Sequence, residues 1–239
     1  MKNKLKIILV INRSDPYLKN VFNYCNKFNF KTSVIFSSNK RNEDLGKHFY
    51  NKDYDIILNY SSYYILSKTI ISKASYGCLN FHPGPPSFRG SGIMSWAILN
   101  NEKYYGVTVH FIDEKIDHGE IIDVLKFKIP KDCDIKNLIK LTKKFQYQIF
   151  KKTINNIYKH ISSLKKYFIL IKNNPNYNWS EKIYKINQLD KVQIINLNLS
   201  KNKEKEIFKI IKATNIGNHQ PVIRIKNNYF KLINNKEKY

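Results

Sequence analysis

The sequence predicts an α/β fold built on a mostly parallel sheet, followed by a small C-terminal α/β tail that ends in a β-hairpin. Three observations predict it. The stretches 6–11, 31–36 and 54–60 are apolar runs of strand length, the mark of strands covered on both faces in a parallel sheet. Helical spacing and long connections separate them, with no hairpin dipeptide between consecutive runs, which points to right-handed crossovers. From Asn173 the texture changes, with Asn, Pro and Tyr crowding together before a closing pair of β-like runs. The expected division is a core of residues 1–165 and an extension of residues 166–239.

Taken in order, Lys6–Ile11 is the first strand, and Asn12–Pro16 turn the chain. Asp15 is placed to cap a helix whose first residue is Pro16, with Tyr17, Val21, Tyr24, Cys25 and Phe28 on one face. Lys31–Phe36 is the second strand, 39–51 a polar loop and helix, and Tyr54–Tyr60 the third strand. A further strand ends at Asn80-Phe81-His82, where Pro83-Gly84-Pro85-Pro86 force an irregular loop. A helix begins at Ser91 or Gly92 and runs through Leu99. Gly106–Ile112 alternates polar and apolar, predicting a strand with one exposed face, and Ile121–Ile129 is its antiparallel partner. Asp134 caps a long helix striped with Leu138, Leu141, Phe145, Ile149, Ile154 and Ile157, running to about Ser163. Val222–Ile225 and Tyr229–Ile233 form the closing hairpin, with Asn227-Asn228 as its turn.

Composition narrows the classes. No run of eighteen apolar residues exists, so no membrane span is expected. Lys2, Lys4 and Lys6 punctuate the first strand with no small-residue cleavage site after it, so the N-terminus does not read as a signal peptide. Three scattered cysteines make neither a disulfide framework nor a zinc set; a cytoplasmic protein without a metal is expected. The formal net charge of +24 suggests nucleic acid or anionic lipid. The lysines are spread along the chain, however, beside almost as many Asn and Ile. An anionic small substrate steered by a general positive field serves as well.

The chemistry concentrates at one strand end. Residues i and i+2 of a strand share a face, so Asn80 and His82 project together into the crevice at the carboxyl ends of the strands. The segment after the first strand, Asn12-Arg13-Ser14-Asp15-Pro16, holds no glycine fingerprint, which argues against an ordinary dinucleotide site. A carboxylate can come from Ile116-Asp117-His118-Gly119-Glu120, with Asp113, Glu114, Glu120 and Asp123 as competitors; spacing does not choose among them. Amide, imidazole and carboxylate together suit acyl transfer to an amine.

Five pieces then carry a resemblance: Asn80-Phe81-His82-Pro83 with Phe88-Arg89-Gly90, Trp96–Asn100, Gly106-Val107-Thr108-Val109-His110, and Ile116-Asp117-His118-Gly119-Glu120-Ile121-Ile122. In order and spacing they resemble the folate-dependent formyltransferases across roughly residues 54–130, with a weaker match toward both ends. The resemblance implies a Rossmann-like sheet of the formyltransferase fold, with N10-formyltetrahydrofolate as co-substrate. It also implies a catalytic set of Asn80, His82 and Asp117, the last being the Asp of Asp-x-Gly. The loop after the third strand, Ser62, Tyr63, Tyr64, Ile65 and Leu66, and the turn beginning at Asp113 would hold the pterin. Arg89 would contact a phosphate or other anion, or else brace its loop.

Among family branches, the Pro-Gly-Pro-Pro loop and the tail Ile211–Thr214, Gln220-Pro221, Asn228–Phe230 most resemble the sugar N-formyltransferases of O-antigen and lipopolysaccharide biosynthesis. The implied acceptor is a nucleotide-linked aminodeoxysugar, foremost dTDP-4-amino-4,6-dideoxyglucose, and the tail implies a homodimer. Glycinamide ribonucleotide and methionyl-tRNA are the alternative acceptors. A non-catalytic folate- or RNA-binding module is the reading outside the enzyme class.

Overall fold

The computed structural model describes residues 4–38, 49, 52–173, 177–196, 204–217 and 219–232. The polar segment expected at 39–51 lies outside them apart from residue 49, as does Ile233 at the end of the hairpin. The chain folds into two units. One comprises the described residues within 1–87, 106–126 and 142–180, the other those within 88–105, 127–141 and 181–239.

The first unit is organised by a six-stranded sheet. Its strands are β1 (Lys6–Asn12), β2 (Lys31–Ser37), β3 (Tyr54–Tyr60), β4 (Ala74–His82), β6 (Tyr104–Phe111) and β7 (Ile121–Lys128), in the order β2-β1-β3-β4-β6-β7. Between β4 and β6 comes the short strand β5 (Arg89–Gly90), which belongs to the other unit. β1 pairs parallel with β2 and β3, and β3 with β4, while β4 and β6 run antiparallel. The mostly parallel sheet is therefore as expected. In β1 every residue from Ile7 to Ile11 is at most 1% exposed, whereas edge strand β2 alternates exposed and half-buried positions. The apolar run marks the strand with a neighbour on each side.

Helices α1 (Leu18–Asn26), α2 (Lys68–Ile71), α4 (Ile135–Lys159) and α5 (Leu164–Asn173) follow in this part of the chain, with α3 (Ile93–Leu99) in the other unit. Helix α1 starts two residues later than the sequence predicts. Asp15 Oδ1 accepts from the Tyr17 N–H at 2.8 Å, closing a turn before the helix, and Tyr17 stands at the N-cap position without a side-chain cap. Asp134 caps α4 as expected, its Oδ1 accepting from the Asn137 N–H at 2.8 Å. The helix stops at Lys159 rather than near Ser163, because the chain tightens into a 3-10 turn at Ile161–Ser163.

A larger correction concerns β6. The expected exposed face is absent: every residue from Tyr105 to Phe111 is buried, including Thr108 at 0% and His110 at 2%. The polar positions are hydrogen-bonded inside the protein. Thr108 Oγ1 donates to the Gly84 carbonyl at 2.7 Å, and His110 Nδ1 lies 2.7 Å from the Phe111 carbonyl. Alternation marked two faces correctly, but the polar face looks into the site, not into water.

The second unit holds β8 (Ile183–Tyr184), α6 (Leu189–Val192), β9 (Ile194–Asn196), α7 (Glu204–Thr214), β10 (Val222–Ile225) and β11 (Asn228–Lys231). β5 pairs parallel with β8, and a side chain at Gly90 (φ 96°) would collide with the Tyr184 carbonyl. Phe88 stacks on Tyr184 with ring centroids 5.2 Å apart, and Trp96 packs on the same tyrosine at 5.6 Å. The expected hairpin forms a three-stranded sheet, β11-β10-β9. Its turn is one residue earlier than predicted: Ile225 pairs with Asn228, and Lys226 takes the left-handed φ of 53°. Asn228 keeps a rung of the ladder instead of serving as the turn.

Candidate active site

β3 and β4 end together because they run parallel in register, Asn59 beside Asn80 and Tyr60 beside Phe81. The antiparallel partner β6 sets His110 opposite Asn80 and Thr108 opposite His82. Two paired polar positions from each strand thus share one face, as cross-strand neighbours do. The Asp117 turn between β6 and β7 supplies the carboxylate.

Asn80, His82 and Asp117 are brought together as the sequence implied. His82 Nδ1 lies 3.3 Å from Asp117 Oδ1, and both residues are almost sealed from solvent, at 2% and 7% exposure. Asp117 holds a left-handed φ of 44°, a conformation Asp tolerates better than most residues and one that recurs at functional turns. Gly119 completes Asp-x-Gly for a steric reason, since a Cβ there would collide with the Phe111 carbonyl. Asp113, the nearest competitor, is engaged elsewhere: its carboxylate accepts from the Lys115 N–H at 2.9 Å and pairs with His118. Partial burial pushes its pKa up, but the hydrogen bonds from His118 and the Lys115 N–H outweigh that and leave it below the usual carboxylate range.

His110 is a member of this cluster that sequence reasoning quoted as part of a motif and gave no role. A carbonyl only accepts, so the Phe111 contact places the proton on Nδ1 and leaves Nε2 as an acceptor. Asn80 Nδ2 lies 3.0 Å from that nitrogen and donates to it. The Asn80 side chain is thereby oriented, and its Oδ1 accepts from Asn59 Nδ2 at 3.2 Å. His110 Nε2 is also 3.7 Å from Asp117 Oδ1. The available signal was the predicted antiparallel pairing, which sets the second polar position of β6 against Asn80.

Two further residues brace the strand ends. Gln146 of α4 donates its Nε2 to the Phe81 carbonyl and accepts at Oε1 from Ser61 Oγ at 3.0 Å. Lys143 Nζ reaches Ser61 Oγ and Asp15 Oδ2, each at 2.6 Å. Gln146 is fully buried near the apolar stripe of a long helix, and a buried amide in such a place has a partner to find.

The loop expected to hold the pterin begins at Ser61 (φ 53°) and tightens where Ser62 Oγ accepts from the Tyr64 N–H at 3.0 Å. Its side chains alternate. Tyr64 and Leu66 turn into an apolar cluster with Ile57 and Ile70, while Tyr63 and Ile65 are exposed by 57% and 47%. Lys68 Nζ and Glu114 Oε1 tie this loop to the Asp113–Asp117 turn at 2.8 Å, an exposed pair of small energetic weight. Arg89 belongs to the other unit, where it is 8% exposed in β5. Among the described residues, no group of three or more His, Cys, Asp or Glu is arranged to hold a metal ion, and no helix is long and apolar enough to cross a membrane.

Residues 2–154 match the family model described as formyl transferase. The chain belongs to the formyl transferase family. Over 106 residues it is 34% identical to the methionyl-tRNA formyltransferase of Clostridium tetani, a stretch covering 44% of this chain and 34% of that protein. The chain therefore spans about a third of the length of that curated relative. Its fold is similar to that of a 4-N formyltransferase from Francisella tularensis (TM-score 0.70, 18% identical, 96% of this chain and 97% of that one covered). It is also similar to an N-formyltransferase from Helicobacter canadensis in complex with folinic acid and dTDP-3-aminofucose (TM-score 0.64, 20% identical, 93% and 84% covered). The expected formyltransferase fold is borne out along nearly the whole chain, tail included.

Proposed function

We propose that this formyl transferase family member is a folate-dependent N-formyltransferase that moves a formyl group from N10-formyltetrahydrofolate to the amine of a nucleotide-linked aminodeoxysugar. The observation that carries the reading is the meeting of half-buried Asn80 with buried His82 and Asp117, Asn80 being already oriented by His110. A pure binding module needs no such set.

The steps follow from the geometry. The acceptor nitrogen attacks the formyl carbon, forming a C–N bond and placing negative charge on the formyl oxygen. Asn80 carries two Nδ2 hydrogens; one is held by His110, and the other is the donor for the oxyanion. With Nδ1 turned toward Asp117, proton exchange with the substrate falls to His82 Nε2. It takes the ammonium proton of the tetrahedral intermediate and returns one to N10 of the folate as the C–N10 bond breaks. Asp117 orients the imidazole and stabilises its charged form. The products are a formamide and tetrahydrofolate. Ser62, Tyr63, Tyr64, Ile65, Leu66 and Asp113 hold the pterin in this reading, chiefly through backbone groups, and Arg89 meets a substrate anion.

The sugar acceptor is supported by the two structural likenesses, which extend through the tail, and by the complex of the Helicobacter canadensis protein with a dTDP-linked aminosugar. Our leading acceptor is dTDP-4-amino-4,6-dideoxyglucose, within O-antigen or lipopolysaccharide sugar synthesis. In the same reading residues 1–165 are the catalytic core, and residues 166–239 form a homodimer interface in the cytoplasm. A second acceptor, methionyl-tRNA, is favoured by the 34% identity to the Clostridium tetani enzyme and by the net charge of +24. Mass spectrometry of a panel holding dTDP- and UDP-linked aminosugars, glycinamide ribonucleotide and charged initiator tRNA, each incubated with N10-formyltetrahydrofolate, separates them. We expect one added formyl group on an aminosugar. Transfer to tRNA or glycinamide ribonucleotide keeps the chemistry and overturns the acceptor.

A further inference from the structure

The stretch Tyr177-Asn178-Trp179-Ser180 lies outside every helix and strand of the first unit, and nothing in its sequence marks it as functional. Its contacts, however, go to the two loops that carry the reactive groups. Trp179 Nε1 donates to the Gly119 carbonyl at 2.8 Å, two residues beyond Asp117. The next residue, Ser180, donates its backbone N–H to the Pro86 carbonyl at 3.0 Å, four residues beyond His82. Between these anchors the indole stands edge-on to both imidazoles. Its ring centroid is 5.7 Å from that of His82 at 77° and 5.0 Å from that of His110 at 87°.

We propose that Trp179 is a positioning residue for formyl transfer, pinning the Asp117–Gly119 turn through its N–H and backing both imidazoles with its ring. The inference rests on the reading of Asn80, His82 and Asp117 given above. The physical need is clear from the geometry. The His82–Asp117 contact of 3.3 Å is at the long end of hydrogen-bond distances, so a small drift of the turn breaks it. The turn is itself held in the left-handed conformation at Asp117, which surrounding contacts must over-determine if it is to persist. Trp179 supplies a contact on the far side of Gly119, and its ring gives His82 and His110 a common wall, so that neither imidazole rotates without displacing the indole.

Full-length Trp179→Ala and Trp179→Phe variants test this. Loss of the strap should lower kcat by about 10²-fold, the scale of a misplaced catalytic group. The KM values for folate and acceptor should stay within about threefold, because the residue acts on the reactive groups and not on uniform binding. Trp179→Phe keeps the wall and loses the N–H, and should recover turnover to within about tenfold of the native chain. Independently of turnover, the carbon-bound protons of the His82 and His110 rings should shift in NMR spectra of Trp179→Ala and much less in Trp179→Phe. If the native chain formylates no amine, the enzyme reading fails while the imidazole shifts still report on the strap. A Trp179→Ala chain with kcat within about twofold of native, or with both imidazole signals unmoved, overturns the proposal. Should the alanine chain fail to fold, a Trp179→Phe chain with native kcat and native imidazole signals overturns the pin, and a loss of kcat at native KM supports it.

Discussion

Strands β4 and β6 each carry an imidazole into the same cluster, and the two could hardly be more alike in burial: His82 and His110 are both 2% exposed. They differ in what holds them. His110 is fixed at both nitrogens, Nδ1 by the Phe111 carbonyl and Nε2 by the Asn80 amide. His82 faces a carboxylate, Asp117, at 3.3 Å. Asp117 Oδ1 is also 3.7 Å from His110 Nε2, but that nitrogen's hydrogen bond goes to the Asn80 amide at 3.0 Å. A ring beside a carboxylate is stabilised when it gains a proton. In our proposal the partners, and not burial or residue type, separate the reactive imidazole of His82 from the supporting one of His110.

The comparison can be broken or sharpened by substitution. Asn80 is the proposed oxyanion donor and His110 only aims it, so Asn80→Ala should have the larger effect of the two, a loss in kcat of about 10²- to 10³-fold, the scale of one oxyanion donor. Steady-state kinetics should show it with folate binding retained. His110→Phe removes the hydrogen bond that aims the amide, along with that to the Phe111 carbonyl; the lost aim is worth ~1 kcal/mol or about fivefold in rate, and His110→Gln, which keeps an acceptor, should recover part of it. A His110→Phe loss as deep as that of Asn80→Ala would erase the distinction between the two rings.

A third imidazole widens the contrast. His118 is 46% exposed and paired with Asp113, whose pKa is held below its usual range. A depressed carboxylate contributes stability above its unfolded pKa of about 3.9 and loses it as pH falls through the lower folded value. The thermal-midpoint advantage of the native chain over Asp113→Asn should therefore be larger at pH 5 than at pH 3. Solvent screening keeps the effect small. The weakest effect is chemical: burial pushes the Cys25 and Cys78 thiols up to about 12. In the folded chain at pH 8, a thiol reagent should modify Cys133 first and reach the other two only on unfolding.

Much of this was legible in the sequence. The apolar runs of β1 and β3 and the Pro-Gly-Pro-Pro stop after His82 mark the sheet and its rim, because buried parallel strands need uninterrupted apolar faces. Asn80, His82 and Asp117 were identified by a family resemblance, not by spacing, which left five carboxylates open. His110 was misread for a physical reason: an alternating strand looks the same whether its polar face meets water or a polar site, and only pairing with Asn80 decides. Trp179 and Gln146 were hidden differently. Trp179 reaches the site from sixty residues beyond Gly119, and Gln146 from sixty-five residues beyond Phe81, at a helix position where one buried polar group interrupts an apolar stripe. Local periodicity carries no record of such contacts. The hairpin turn missed by one residue because Asn228 has turn propensity, while the ladder to Ile225 outweighs it.

The most direct test of the central claim is formyl transfer to a nucleotide-linked aminosugar by chains that keep only one of the two buried imidazoles. The chain retaining His82 (His110→Gln) should formylate the sugar within about tenfold of the native rate. The chain retaining His110 (His82→Gln) should bind the folate and leave the sugar unformylated. Equal rates from the two chains, or faster transfer from the chain that keeps His110, would contradict the assignment of the reactive imidazole to the end of β4.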